Sequence, residues 1–182
     1  MPPLKQTAEV APMTPQMVGA YGEKMVEAAL LRHGWIPSNV NASVRNAARF
    51  DIVAQGPQGQ LAPIRVKACG PKQHAFQFGL KPGRVPKDDL LKIDFTVLVA
   101  MGDELADDRF FVVPTKVVRE ALEAGRVSFH GVPRKDGQPR VETGQITLWL
   151  RPLKSKDDPQ HDFARKWKHY LDQWDLLTGE AA

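Results

Sequence analysis

The apolar residues of this chain change their spacing from helical to strand-like and back, and few folds accommodate that change. Val18, Tyr21, Gly22, Met25, Val26, Ala29 and Leu30 recur at the three-and-four spacing of one helical face. Thr14-Pro15 before them reads as an N-cap followed by proline at the first helical position, and Gly34 after them reads as the stop. From residue 50 the pattern changes. Residues 50–54 (FDIVA) are a short, mainly apolar run, and Gly56, Pro57 and Gly59 then supply a turn. Beyond it Ile64, Val66 and Ala68 alternate with Arg65 and Lys67, the period of a strand with two different faces. The two runs are expected to pair as a hairpin.

The rest of the chain continues in the same style. Gly70, Pro71, Gly79, Pro82, Gly83 and Pro86 predict a loop over 69–86 with one brief strand at 75–78. Residues 95–100 and 109–113 read as two more strands joined by an acidic turn. Pro114-Thr115 opens a second helix that Gly125 is expected to end, with late strands at 127–130 and 145–150. Asp158-Pro159 resembles a further cap, and Phe163, Trp167, Tyr170, Leu171, Trp174 and Leu177 predict a final amphipathic helix over about 158–178. Residues 1–13, with Pro2, Pro3 and Pro12 and no periodicity, are expected to be a flexible tail. There is no internal repeat and no linker, so residues 14–182 are expected to form a single domain of the α/β (α+β) class.

Composition narrows the function classes. The chain has 182 residues, 42% hydrophobic and 25% charged, as in ordinary globular proteins. Its apolar runs reach about seven residues, far short of the ~20 that span a bilayer, so no membrane partner is expected. The N-terminus has no apolar block of the signal-peptide kind, and the expected location is cytoplasmic. Cys69 is the single cysteine, which excludes an internal disulfide and a cysteine-based zinc site. The five histidines have no ligand spacing, and no phosphate-loop glycine motif or nucleophile elbow is present. The formal charge of +4 is too small to establish a nucleic-acid partner.

One constellation carries chemistry. Glu23 lies on the flank of the first helix's apolar stripe, Asp51 enters the first hairpin strand, and Lys67 lies on the second with Arg65 on the same face. Adjacent strands bring such side chains within several ångströms of one another, so a helix acid, a strand acid and a strand lysine can converge. Metal-dependent phosphodiester hydrolysis uses that set. Hard carboxylates hold Mg²⁺, the ion offsets phosphate charge, and a lysine orients or deprotonates the nucleophile.

The stretches GAYGEKMVEAALLRHGW at 19–35 and RFDIVAQGPQGQLAPIRVKA at 49–68 resemble the PD-(D/E)XK nuclease superfamily, in particular its small restriction-endonuclease-like and intron-endonuclease-like members. Looser likeness continues in KIDFTVLVAMGDELADDRFFVVPTKVV at 92–118, so the resemblance spans about residues 15–120. It implies a central mixed sheet flanked by helices, DNA as substrate, and Mg²⁺-dependent endonuclease activity. It also implies that Glu23 and Asp51 bind the metal and that Lys67 is the superfamily lysine.

The chain departs from the pattern at one position. Two residues before the lysine, where the family carries Glu, Asp or sometimes Gln, stands Arg65. Two unit charges about 4 Å apart interact by ~4 kcal/mol at an effective dielectric near 20, and a divalent ion facing a guanidinium meets roughly double that in repulsion. Two readings stay open: Arg65 contacts a DNA phosphate, or the centre has lost its catalysis and the chain is a nucleic-acid-binding or protein-interaction module. Arg45 and Arg49, before the Asp51 strand, are further candidate phosphate contacts. The Trp167/Trp174 helix is a candidate surface for a homodimer or a protein partner.

Overall fold

The computed structural model describes residues 12–40, 50–71, 73–79, 94–141, 144–149 and 163–179. Arg45, Arg49, residues 1–11 of the expected tail and the first turn of the expected C-terminal helix lie outside these. Helix α1 (Pro15–Arg32) begins where its cap predicts: Thr14 Oγ1 accepts a hydrogen bond from the Met17 N–H at 3.3 Å. It ends at His33, and Gly34 follows with φ +77°, a left-handed conformation suited to glycine. Val18, Gly22, Val26 and Leu30 form its buried stripe.

Five strands make the central sheet in the order β1-β2-β3-β5-β6. They are β1 (Ile36–Asn39), β2 (Ile52–Gln55), β3 (Leu61–Cys69), β5 (Phe95–Ala100) and β6 (Arg109–Pro114). β2 and β3 form the expected hairpin across a turn in which Gly56 N–H donates to Gln60 O at 2.8 Å. β3 and β5 run parallel while the other neighbours are antiparallel, so the sheet is mixed. A separate two-stranded ribbon pairs β4 (Ala75–Gly79) with β7 (Gln145–Trp149). Helix α2 (Thr115–Gly131) follows β6 directly. The α/β class with a helix-flanked mixed sheet is therefore the observed architecture.

Each face of the sheet has its own core. Val26, Leu30 and Trp35 pack with Ile52, Ile64, Val66 and Val97, and Trp174 and Leu177 join them. On the opposite face Phe76, Phe78 and Leu148 of the ribbon pack with Leu98, Phe111, Val113, Leu122 and Trp167. Fully burying an aliphatic side chain of this size contributes about 1.5–3 kcal/mol, so α1 is held mainly by its stripe. Gly22 sets its distance from the sheet, because a Cβ there would lie 2.6 Å from the Ala68 Cβ.

Three expectations are corrected. Gly125 does not end α2: it is buried in the helix, which runs on to Gly131 and absorbs the strand expected at 127–130. With Val118 and Leu122, Gly125 continues the buried face, so a packing need overrides its helix-breaking tendency. Strand β1 was not expected at all. Nor is there one helix through the described residues 163–179. One helical turn, α3 (Phe163–Lys166), is followed by 3-10 turns at Lys168–Tyr170 and Trp174–Thr178. The cause is pairing with the sheet edge, where Leu171 bridges Phe111 and the Asp172 N–H donates to Phe110 O at 2.8 Å. Trp167 (6% exposed) and Trp174 (3%) fill opposite cores, so neither ring is exposed. No helix among the described residues is long and apolar enough to cross a membrane.

Candidate functional site

The site arises from a mismatch in strand length. β3 has nine residues, yet its pairing with β2 covers only Leu61 to Ile64. On its other side β3 pairs with β5 from Ile64 to Cys69. The β2-side edge of β3 beyond Ile64 thus borders a cleft of about 880 Å³, between the N-terminal half of α1, β3 and the β4–β7 ribbon. Glu23, Asp51, Arg65 and Lys67 all line it. The four residues singled out by type and order along the chain are therefore brought to one place.

Each is held differently. Asp51 stands just outside β2, where its own N–H donates to Ile64 O at 2.9 Å. Its Oδ2 accepts the Val66 N–H at 2.7 Å, so a carboxylate replaces the backbone acceptor that β2 no longer provides. Glu23 is fixed from β1, since Asn39 Nδ2 donates to Glu23 Oε2 at 3.0 Å and to Glu27 Oε1 at 2.8 Å. Glu27 in turn accepts from Lys24 at 2.8 Å. Burial works against the Glu27 carboxylate, but the hydrogen bonds from Lys24 and Asn39 outweigh it and hold its pKa below the usual value.

Lys67 is half-buried. Its Nζ lies 5.7 Å from the centroid of the Phe78 ring. Burial, reinforced by the charge of Arg65, pushes its pKa below the ordinary lysine value, while Asp51 pulls in the opposite direction. Arg65 is half-buried beside Thr96 in the β3–β5 register. Its charge also reaches Asp94, whose carboxyl is pushed up by burial and held back by a Thr115 hydrogen bond and by Arg65. Thr115 is anchored at the start of α2 by its N–H to Asp94 O at 3.0 Å and by its hydroxyl, 2.9 Å from the Thr96 hydroxyl.

Sequence reasoning missed Asn39 and Asp94. Asn39 ends a strand of sequence IPSN that has no buried residue, and a lone asparagine carries no signal of the acid it will meet. Asp94 precedes a fully buried strand, a position that asks for a partner, and Thr115 is that partner. The exposed basic residues Arg134 and Lys135 do not line the cleft, and Arg140 instead stacks over the Phe129 ring at 4.3 Å.

Among the described residues, no group of three or more His, Cys, Asp and Glu side chains stands together as a metal-binding set. Two carboxylates on one cleft still suit Mg²⁺, which keeps several waters and commonly takes one or two carboxylates with the remaining ligands from a substrate phosphate. The donor set fits that cation under that condition.

No family model matches the chain, and no curated protein matches it. Among solved structures, the fold is similar to that of the bacterial homing endonuclease I-Ssp6803I, at 16% identity over 93% of this chain and 94% of that one, with a TM-score of 0.49.

Proposed function

We propose that this chain is a PD-(D/E)XK-type, Mg²⁺-dependent endonuclease that hydrolyses phosphodiester bonds in DNA. The observation that supports the reading is the meeting of Glu23, Asp51 and Lys67 on one cleft, in the order helix, strand, strand. Glu23 and Asp51 would hold the cation, whose chemistry when bound is to polarise the phosphate and offset the charge that builds on it. The chain's own groups do the rest. Asn39 and the Val66 amide keep the two carboxylates in place. Lys67, half-buried with a lowered pKa, orients the attacking water; the water's oxygen forms the new bond to phosphorus as the bond to the leaving sugar oxygen breaks, the water losing a proton to solvent and the leaving oxygen taking one from it. Arg65 pairs with phosphate oxygens in the bidentate manner of a guanidinium.

A second reading, a binding module without catalysis, rests on Arg65 standing where the family carries an acid. Nicking of supercoiled plasmid separates the two. The nuclease reading expects cleavage that needs Mg²⁺, stops with chelator and is lost in Asp51→Ala. Salt-sensitive DNA binding with no cleavage under any divalent ion would establish the binding module instead.

A further inference from the structure

We infer that the outward face of the β4–β7 ribbon reads base edges in the DNA major groove beside the bond to be cut, with Gln77 as a specificity-determining residue that takes an adenine. This rests on the nuclease reading above and specifies which sequence the same site accepts.

The ribbon has two unlike faces. Phe76, Phe78 and Leu148 point inward and are buried in the core against the sheet. The alternate residues form the outward row, and the register pairs Ala75 with Trp149, Gln77 with Thr147 and Gly79 with Gln145. None of these outward residues carries a charge. A row without cations contributes little to phosphate binding. Its amides and hydroxyl instead offer the directional donors and acceptors that tell one base edge from another.

The row also borders the cutting site. Ala75, Gln77 and Trp149 line the same cleft as Asp51, Arg65 and Lys67. Phe78, the neighbour of Gln77 in β4, has its ring centroid 5.7 Å from Lys67 Nζ. A duplex with a phosphate at Lys67 therefore brings its base edges against the ribbon. Two strands ~4.8 Å apart fit a major groove ~12 Å wide. Successive outward residues stand ~6.8 Å apart along a strand, which matches two base-pair steps of ~3.4 Å. Gln77 is exposed, and its side-chain amide has the donor and acceptor that pair with adenine N7 and N6. Gln73 also lines the cleft, but its Oε1 accepts the Gly70 amide at 3.2 Å and so serves its own turn.

The test selects bound duplexes from a pool of random sequence with the full chain in Ca²⁺, recovering them intact for sequencing. The parent is expected to enrich adenine at one fixed position. Replacing that A·T pair is expected to lower affinity about 5–150-fold in anisotropy titrations, the usual discrimination of one bidentate base contact. Gln77→Arg is expected to select guanine at that position, since a guanidinium pairs with guanine O6 and N7, and to keep the preferences elsewhere. Gln77→Ala is expected to lose the preference at that position alone, and circular dichroism confirms that each variant is folded. A purely structural Gln77 would weaken all duplexes alike without changing the preferred base. Selection of the same sequence by the parent and by folded Gln77→Arg overturns the inference and leaves the nuclease reading standing. A parent that binds and cleaves DNA with no base preference does the same. Absence of DNA binding under every condition overturns both.

Discussion

The backbone N–H of Val66 donates to Asp51 Oδ2 at 2.7 Å, across the point where β2 stops pairing with β3. One carboxylate thus completes the hydrogen bonding of a sheet and presents itself to the cleft. On the proposed nuclease reading, stability and function are coupled at this residue, and the coupling can be separated by choice of substitution.

Asp51→Ala removes the acceptor and leaves the Val66 amide unsatisfied, at a cost of about 1–3 kcal/mol in urea unfolding. Asp51→Asn keeps an acceptor oxygen while removing the charge, and it is expected to retain more stability than the alanine variant. Both are expected to lose DNA cleavage, so equal stability of the two variants would count against the hydrogen bond's role.

Gly22 tests how closely α1 must approach β3. Alanine gains about 1 kcal/mol in helix propensity over glycine, but overpacking costs about 1–3 kcal/mol, and the added Cβ would lie 2.6 Å from the Ala68 Cβ. Gly22→Ala is therefore expected to lower stability by about 1 kcal/mol. Gly19→Ala, one turn earlier with nothing within 4 Å of the added Cβ, is expected to raise it by up to about 1 kcal/mol. Chemical denaturation of the pair provides the comparison.

Asn39 donates to Glu23 Oε2 at 3.0 Å, which on the proposed nuclease reading makes it a positioning residue for Glu23. Asn39→Ala is expected to leave the fold intact and to weaken cleavage about 10-fold or more, the usual effect of losing a group that orients a metal-holding side chain. The loss should appear as a higher Mg²⁺ concentration for half-maximal cleavage. A unchanged metal dependence would show that Glu23 is held by other means.

Tyr21 supplies a pH dependence. Its hydroxyl donates to Asp108 Oδ2 at 2.6 Å, and burial, that hydrogen bond and the Asp108 charge together raise its pKa from 10.0 to about 12. The folded state then holds the proton more tightly than the unfolded state. The stability linked to it is fully present below pH ~10 and is lost as the pH rises towards ~12. Phenolate absorbance should show the late transition, and Tyr21→Phe should remove it while leaving that of Tyr170.

Much of this arrangement is legible before any coordinates. The α1 stripe, the β2–β3 hairpin and the β5–β6 pair follow from periodicity, and the topology brings Glu23, Asp51 and Lys67 together in the order that the chain presents them. What stays hidden depends on contacts distant in sequence. β1 has no buried residue to give it a period, and Gly125 sits in a helix because it faces a core. The aromatic stripe near the C-terminus has helical spacing, yet its chain is bent by pairing with Phe110 and Phe111, which sends Trp167 and Trp174 to opposite faces of the sheet. Asn39 meets Glu23 for the same kind of reason: an edge strand happens to pass the helix there.

Lys67 gives the most direct test of the whole account. Methionine keeps an unbranched side chain beside the Phe78 ring and removes the ammonium, so Lys67→Met should remain folded with an unfolding midpoint no lower than that of the parent. Single-turnover cleavage of duplex DNA in Mg²⁺ is then the measurement. The parent is expected to cleave, and Lys67→Met to cleave at least about 100-fold more slowly. Cleavage by folded Lys67→Met at the parent's rate would contradict the assignment of this cleft as the place where the phosphodiester is broken.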